Sequence, residues 1–234
     1  MFAVVIPTRN SEATLVEVLA ALVPAAADGI VREVIVADAG STDATEAIAD
    51  GAGCRWVVVS GGRGGQLAAG AAAAKRGTWL MFLEPDCILE AGWHHEVAGF
   101  VERAERSARA DTVAGRFRYA VDELGWTARL KEWWACTRSI VFGIGYANQG
   151  LVLSRQLYDR LGGHRPLEVM ADADFVRRLG RRRIVHLGVR AETRSVAREA
   201  ERGFGAALRA ALRPMLFWLR VPSPLIGRLC GTSR

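Results

Sequence analysis

Residues 33–43 of this 234-residue chain read EVIVADAGSTD, and this stretch decides the fold class. Glu33–Ala37 is a short run rich in Val and Ile, which is typical of a buried strand. Asp38 follows at the end of that strand, and Gly40 permits a tight turn before a Ser-Thr pair that can cap a helix over residues 43–50. A strand that leads through a capping turn into a helix is the unit of which parallel α/β sheets are built.

The same alternation continues on both sides of this stretch. It predicts strands over 2–7, 55–60 and 78–83, and helices over 12–23 and 66–76. We therefore expect an α/β protein with a mostly parallel, twisted sheet and helices on both faces. Ligands of such sheets bind at the carboxyl ends of the strands, which places the chemistry after residues 6, 37, 59 and 83.

The second half of the chain is less regular. We predict strands over 112–121, 149–153 and 184–187, and helices over 91–109 and 172–179. No internal repeat or linker interrupts this part of the sequence. We therefore predict one domain over residues 1–195 and a tail over residues 196–234.

Composition excludes several classes of protein. Half of the residues are hydrophobic and 24% are charged, so the chain is neither disordered nor collagen-like. The four cysteines form no CxxC pair, which favours reduced thiols in the cytoplasm. No HExxH and no GxSxG occurs, which disfavours a zinc hydrolase and an ordinary esterase. No apolar run approaches the roughly 20 residues of a spanning helix, and the start has no basic leader.

Charge is concentrated at the end of the chain. Residues 176–234 hold 14 Arg and 3 Glu, whereas residues 1–175 are mildly acidic. On a helix over 202–220, the arginines share one side and the apolar residues the other, the pattern of a segment lying on an anionic membrane surface. The alternative is a helix packed on the body with a solvated arginine face. Nucleic acid is disfavoured because aliphatic residues interrupt the basic stretch.

Two of the loops after the strands have both a functional and an ordinary interpretation. Asp38 can accept hydrogen bonds from a base or ribose, or the turn can be a helix cap and nothing more. Gly61–Gln66, with Arg63, opens a helix and can hold a phosphate on its backbone amides, or it can be a flexible surface turn.

Two pairs of carboxylates are also candidates. Glu84 and Asp86 directly follow a strand and suit a divalent cation, although a solvated turn is the alternative. Asp172 and Asp174 diverge by about 200° on a helix, so they cannot share a face. If Asp172 caps the helix it reaches the pocket, while Asp174 pairs with an arginine three or four residues later.

Together these stretches resemble the family 2 glycosyltransferases of the GT-A fold, in particular a compact bacterial subgroup. The matching stretches run in the same order over roughly residues 2–190, and they are VIPTRNSE at 5–12, DAGSTD at 38–43, GGQLAAG at 64–70, FLEPD at 82–86 and MADADF at 170–175.

The resemblance implies a role for each matching residue. Pro7, Thr8 and Arg9 would border the nucleotide, with Glu12 near it, and Asp38 would hold the uracil or ribose. Arg63 and Gln66 would lie by the diphosphate or the base. Gly40 and Glu84 are the remaining binding candidates, and Glu84 is the first acid of the metal-binding element. The resemblance also implies that Asp86 binds Mg²⁺ or Mn²⁺ and that Asp172, or Asp174 in its place, is the general base.

The function implied is metal-dependent, inverting transfer of one sugar from a nucleotide-sugar donor, most plausibly a UDP-sugar. With the basic tail, it points to a lipid or lipid-linked acceptor at the cytoplasmic face of the inner membrane. Two alternatives remain open: a nucleotidyltransferase that makes a nucleotide-sugar, and a degenerate member that binds membrane without catalysis.

Overall fold

The computed structural model describes residues 1–121 and 150–193, together with residues 216, 221, 225 and 226. Its centre is an eight-stranded sheet with the order β3-β2-β1-β4-β7-β6-β8-β5. The strands are β1 Phe2–Thr8, β2 Val31–Asp38, β3 Arg55–Val58, β4 Trp79–Phe82, β5 Cys87–Leu89, β6 Ala114–Val121, β7 Leu151–Ser154 and β8 Ile184–Thr193.

Six helices lie between the strands in the described residues. They are α1 Glu12–Ala27, α2 Thr45–Gly51, α3 Arg63–Ala73, α4 Trp93–Arg106, α5 Arg155–Arg160 and α6 Ala171–Leu179, followed by a 3₁₀ turn at Arg181–Arg183. Strands β1 to β4 run parallel to one another, as do β6 and β8. Strands β7 and β5 join the sheet antiparallel. The prediction of a mostly parallel α/β sheet is thereby confirmed.

The core has two layers because β1 is buried on both faces. Its odd and even residues point to opposite sides of the sheet. Phe2, Val4 and Ile6 belong to the cluster under α1 and α4, whereas Ala3 and Val5 belong to the cluster under α3, α5 and α6. This continuous burial explains why β1 has no polar alternation in the sequence.

Helix α3 packs closely on the sheet through a glycine. A Cβ at Gly70 would lie 2.3 Å from Cγ1 of Val5, so only glycine fits at this point. The close contact holds the second half of α3 against β1, and the helix begins one to two turns nearer the carboxyl end of that strand. Helix α3 therefore places its first residues at the sheet edge where the functional loops meet.

Two elements escaped the sequence analysis. Strand β5 has three residues and pairs with β8, about 100 residues later, so no local periodicity marks it. Helix α5 has six residues and follows β7 directly, with the Ser154 hydroxyl accepting a hydrogen bond from the amide of Leu157 as its cap. Helix α4 begins later than predicted because Gly92 adopts a left-handed conformation before it.

The predicted tail helix over 202–220 lies outside the described residues. Within the part of the chain that the structure describes, no helix is both long and apolar enough to cross a membrane.

Candidate active site

The end of β1 and the end of β2 are joined through Asp38. In the sheet register, Thr8 lies opposite Asp38, and the Thr8 hydroxyl donates to Oδ1 of Asp38 at 2.8 Å. The other carboxylate oxygen accepts from the amides of Gly40 and Ser41 at 2.8 and 2.7 Å. The Ser41 hydroxyl adds a fourth donor. Asp38 is 1% exposed, so in this structure it shapes the turn rather than facing solvent.

The loops after these two strands are also cross-linked side chain to backbone. The side-chain oxygen of Asn10 accepts a hydrogen bond from the backbone N–H of Thr42 at 2.9 Å. The backbone N–H of Asn10 donates to the hydroxyl oxygen of Ser41 at 2.8 Å. The carboxylate of Glu12 accepts from the Ala44 amide at 2.9 Å. Glu12 thus holds the neighbouring loop, and Asn10, which the sequence analysis did not single out, does the same.

Gln66 ties α3 to the same edge of the sheet. It is buried, and its side-chain NH₂ group donates to the carbonyl oxygens of Thr8 and Ala37, both at 2.8 Å. Both of its donors are therefore used inside the protein. The remaining binding candidates of this edge differ in exposure: Pro7 is buried in β1, whereas Arg9 and Gly40 are exposed.

The glycine-rich start of α3 lets another segment approach it. A Cβ at Gly64 would lie 2.0 Å from the carbonyl oxygen of Arg165, and the Gly64 amide donates to the carbonyl of Leu167 at 3.0 Å. A Cβ at Gly62 would meet the Cα of Glu168 at 2.3 Å. This stretch is a packing surface for the loop before α6, which overturns the alternative of a flexible surface turn.

That approach brings Arg63 between two carboxylates. Its Nε donates to Oδ2 of Asp172 at 2.7 Å, and its Nη1 donates to Oε2 of Glu84 at 2.7 Å. Glu84 is 8% exposed, and the side chain of Asp172 is 19% exposed. The bridge therefore joins α3, the loop after β4 and the first turn of α6 at one point.

The two acidic residues of α6 point to different partners. Met170, not Asp172, occupies the N-cap position, and Asp172 lies in the first turn. Asp174 accepts from Nε of Arg178 at 2.9 Å, the pairing expected four residues apart, and also contacts Arg165 at 3.5 Å. Only Asp172 joins the Arg63 bridge.

The electrostatic surroundings of Asp172 favour the charged form of its carboxyl group. Burial is the largest single effect and would raise the pKa of its carboxyl, but Arg63 and the other partners of Asp172 together outweigh burial, and the pKa lies below its usual range. His164 lies opposite, with its Nε2 3.9 Å from Oδ1 of Asp172. Burial lowers the pKa of His164 to about 4, so the imidazole is neutral at neutral pH.

A cleft opens beside this bridge. Its charged and polar lining consists of Arg63, Glu84, Arg116, His164 and Asp172, and its apolar lining includes Phe82, Leu83, Leu151 and Val176. The sequence analysis missed Arg116 and His164. A charged residue in the middle of a predicted strand was an available signal for Arg116, whereas nothing local to His164 indicates its position.

Asp86 differs from Glu84 in that its carboxylate has no partner among the described residues. It is half-buried in the turn between β4 and β5, two residues after Glu84, and it has no hydrogen bond or ion pair with the residues that the structure describes. Glu84, in contrast, is already neutralised by Arg63. Of the predicted metal pair, only Asp86 keeps its oxygens available for a cation.

The chain resembles known proteins in sequence and in fold. The model of the family described as Glycosyl transferase family 2 matches residues 3–186. No curated protein matches the sequence. Among solved structures, glucosyl-3-phosphoglycerate synthase from Mycobacterium tuberculosis, in complex with Mn²⁺, UDP and glucosyl-3-phosphoglycerate, is 24% identical over 95% of this chain and 81% of that chain, with a TM-score of 0.59.

Two further complexes of that synthase are similar to this chain. One, with Mn²⁺, UDP and phosphoglyceric acid, has a TM-score of 0.61 at 24% identity and covers 95% of this chain and 79% of that one. The other, with Mg²⁺ and UDP, has a TM-score of 0.60 at 23% identity and covers 95% and 80%. Likeness at this level of identity establishes a shared fold.

Proposed function

This chain belongs to glycosyl transferase family 2, and from that premise we propose that it transfers one sugar, with inversion, from a UDP-sugar to a lipid or lipid-linked acceptor. It has the GT-A fold and is a glycosyltransferase. The proposal concerns its donor, its metal, its catalytic residues and its acceptor. The observation that carries it is the bridge that Arg63 makes between Glu84 and Asp172, since it gathers three predicted site residues in one cleft.

Asp172 is the general base in this proposal. Inverting transfer needs a carboxylate that removes the acceptor proton while the nucleotide leaves from the opposite face. Asp172 borders the cleft and its lowered pKa keeps it ionised at neutral pH, whereas Asp174 is held by Arg178. Before Asp172 can accept a proton, its hydrogen bond with Arg63 must break. A diphosphate that attracts the Arg63 guanidinium would do this.

Asp86 fits the metal that the donor requires. Mg²⁺ and Mn²⁺ bind through one or two protein carboxylates and are completed by phosphate oxygens and water, so a single free carboxylate is sufficient. The similar synthase structures contain Mn²⁺ or Mg²⁺ with UDP, which supports the same cofactor here. Such an ion supplies charge that offsets the negative charge accumulating on the leaving diphosphate.

In this proposal the nucleotide lies at the ends of β1 and β2. There Thr8 and Asp38 fix the turn, exposed Arg9 and Gly40 border open space, and buried Pro7 forms the floor. Glu12 and Gln66 act in this proposal by holding the loops, because their side chains already bond to backbone groups. Asp38 would reach a uracil or ribose only after giving up one of its internal donors.

The lipid acceptor is proposed from the sequence of the tail. In this proposal, residues 196–234 act as a tail that lies on an anionic surface at the cytoplasmic face of the membrane. Flotation of the full chain with anionic vesicles, compared with a chain ending at residue 195, tests this. Equal flotation of the two would rule out the tail as the anchor.

Turnover is tested by the release of UDP from a panel of UDP-sugars with Mn²⁺. Asp86→Ala should abolish metal-dependent binding of UDP, measured by calorimetry, and Asp172→Asn should abolish turnover while UDP still binds. Asp174→Asn separates the two candidate bases, and Asp159→Asn, at an exposed position of α5, is the control. Full turnover of Asp172→Asn would contradict its role as base. Release of pyrophosphate from UTP and a sugar 1-phosphate, without release of UDP from UDP-sugars, would indicate a nucleotidyltransferase.

A further inference from the structure

Arg116 is a buried cation that the reaction proposed above does not use. It lies in the middle of β6, opposite Leu151 of β7 and His186 of β8. Alternation along β6 sends Phe117 to the core under α1 and α4, so Arg116 points to the opposite face, where the cleft lies. The residue is 6% exposed.

The guanidinium of Arg116 is incompletely paired. Its Nε atom is buried and has no hydrogen-bond partner among the residues that the structure describes. Burial lowers the pKa of Arg116 to about 10, against the opposing effect of the Asp172 carboxylate, so the group stays charged at neutral pH. A buried donor left without a hydrogen bond costs about 1–3 kcal/mol, and an anion bound in the cleft would remove this cost.

Among the described residues that line the cleft, Arg116 is the charged cation without a carboxylate in ion-pair distance. Arg63 is held by both Glu84 and Asp172 at 2.7 Å, and His164 is neutral. Among the described residues, no carboxylate forms an ion pair with Arg116, and Asp172 acts on it only at longer range. The positive charge of the Arg116 guanidinium therefore favours binding of an anion in the cleft.

We propose that Arg116 binds a phosphate or carboxylate group of the acceptor and so selects acceptors with an anionic group close to the reacting hydroxyl. This proposal rests on the proposed function, in which Asp172, which lines the same cleft as Arg116, is the general base. The hydroxyl oxygen forms a bond to the anomeric carbon, its proton passes to Asp172, and the bond from that carbon to the diphosphate breaks with its electron pair leaving on UDP.

The geometry points to the acceptor rather than the donor. Arg63 connects to the loop that carries Glu84 and, two residues on, Asp86, so it is the cation on the side of the diphosphate. Arg116 extends from another strand, and the apolar side chains of Leu83, Leu151 and Val176 line the same cleft. A low-dielectric wall strengthens a charge-assisted hydrogen bond, which makes Arg116 selective for anions.

Calorimetric titration of the full chain with inorganic phosphate, with and without saturating Mg²⁺ and UDP, tests the proposal. Wild-type protein should bind phosphate saturably, and Arg116→Gln should weaken this binding by about tenfold to hundredfold. The Kd for UDP should stay the same. Arg118→Gln is the matched control, because Arg118 is an exposed arginine two residues along the same strand.

Stability provides a second, independent readout. Arg116→Met removes a buried charge whose Nε has no partner among the described residues and keeps an unbranched side chain, so without ligand its Tm should equal or exceed that of the wild type. If Arg116→Gln does not fold, the phosphate titration is made with Arg116→Met. A strongly lowered Tm for Arg116→Met would mean that Arg116 is structural, which overturns the proposal.

The remaining outcomes are equally decisive. Binding of UDP without any binding of phosphate overturns the proposal, and so does an equal loss of UDP and phosphate affinity in Arg116→Gln. Absence of UDP binding refutes the proposed function instead, and the titration without UDP still tests Arg116. Glycerol 3-phosphate and phosphatidylcholine vesicles containing phosphatidic acid distinguish a soluble acceptor from a lipid one. Failure of both to depend on Arg116 overturns the proposal.

Discussion

Replacing Arg63 by Gln is expected to destabilise the protein and to make its stability depend on pH in a new way. The substitution leaves Glu84 and Asp172 without their shared partner. Breaking a fully buried ion pair costs about 3–5 kcal/mol, whereas an exposed pair contributes at most about 1 kcal/mol. Since the three side chains are 11–26% exposed, we expect a loss of about 3 kcal/mol at pH 7.5.

The pH dependence follows from the direction of each pKa shift. In the wild type the pKa of Asp172 is lowered, so its stabilising effect is present above the ordinary pKa of about 3.9 and is lost as the pH falls through the lowered value. In Arg63→Gln the lowering effect of Arg63 is lost, and burial, the largest single influence on Asp172, raises the pKa of that carboxyl. The penalty of the variant therefore grows as the pH rises, and at pH 4.5 the loss should be clearly smaller than at pH 7.5.

Urea denaturation followed by tryptophan fluorescence at the two pH values measures this loss. Arg9→Gln is the control, since exposed Arg9 has no side-chain partner among the described residues and should change stability by less than about 0.5 kcal/mol. A loss for Arg63→Gln that is equal at both pH values, or no greater than that of the control, would refute the bridge as a stabilising element.

Three further predictions concern packing, protonation and reactivity. Gly64→Ala should lower stability by about 1–3 kcal/mol because its Cβ would overlap the backbone of Arg165. Gly65→Ala, whose Cβ would have its nearest neighbour at 3.8 Å, should be neutral or slightly stabilising, and thermal unfolding compares the two variants. Because the pKa of His164 is lowered to about 4, the wild type should lose up to about 3 kcal/mol between pH 6.5 and 4, and His164→Phe should lose much less in urea titrations. Burial raises the pKa of the Cys87 thiol, so iodoacetamide should leave it unmodified in native protein, as read by peptide mass spectrometry; rapid native labelling would contradict this.

Much of the fold could be predicted because its signals are local. The strand residues of β1 and β2, their polar ends and the helix that follows each are all encoded within a dozen neighbouring residues. The divergence of Asp172 and Asp174 also followed from helix geometry alone, and the pairing of Asp174 with Arg178 agrees with it. Strand β5 was missed because three residues have no periodicity and its pairing partner is distant.

The sequence by itself determined the alternating strands and helices, the sheet edge where polar residues gather and the family to which the chain belongs, since each depends on residue order and short-range spacing. Only the tertiary structure decided that Arg63 joins Glu84 to Asp172, that Asp38 and Gln66 bond inward, and that Arg116 and His164 face the same cleft. These contacts join residues up to 109 positions apart, and their strength depends on burial, which exists only once the chain has packed.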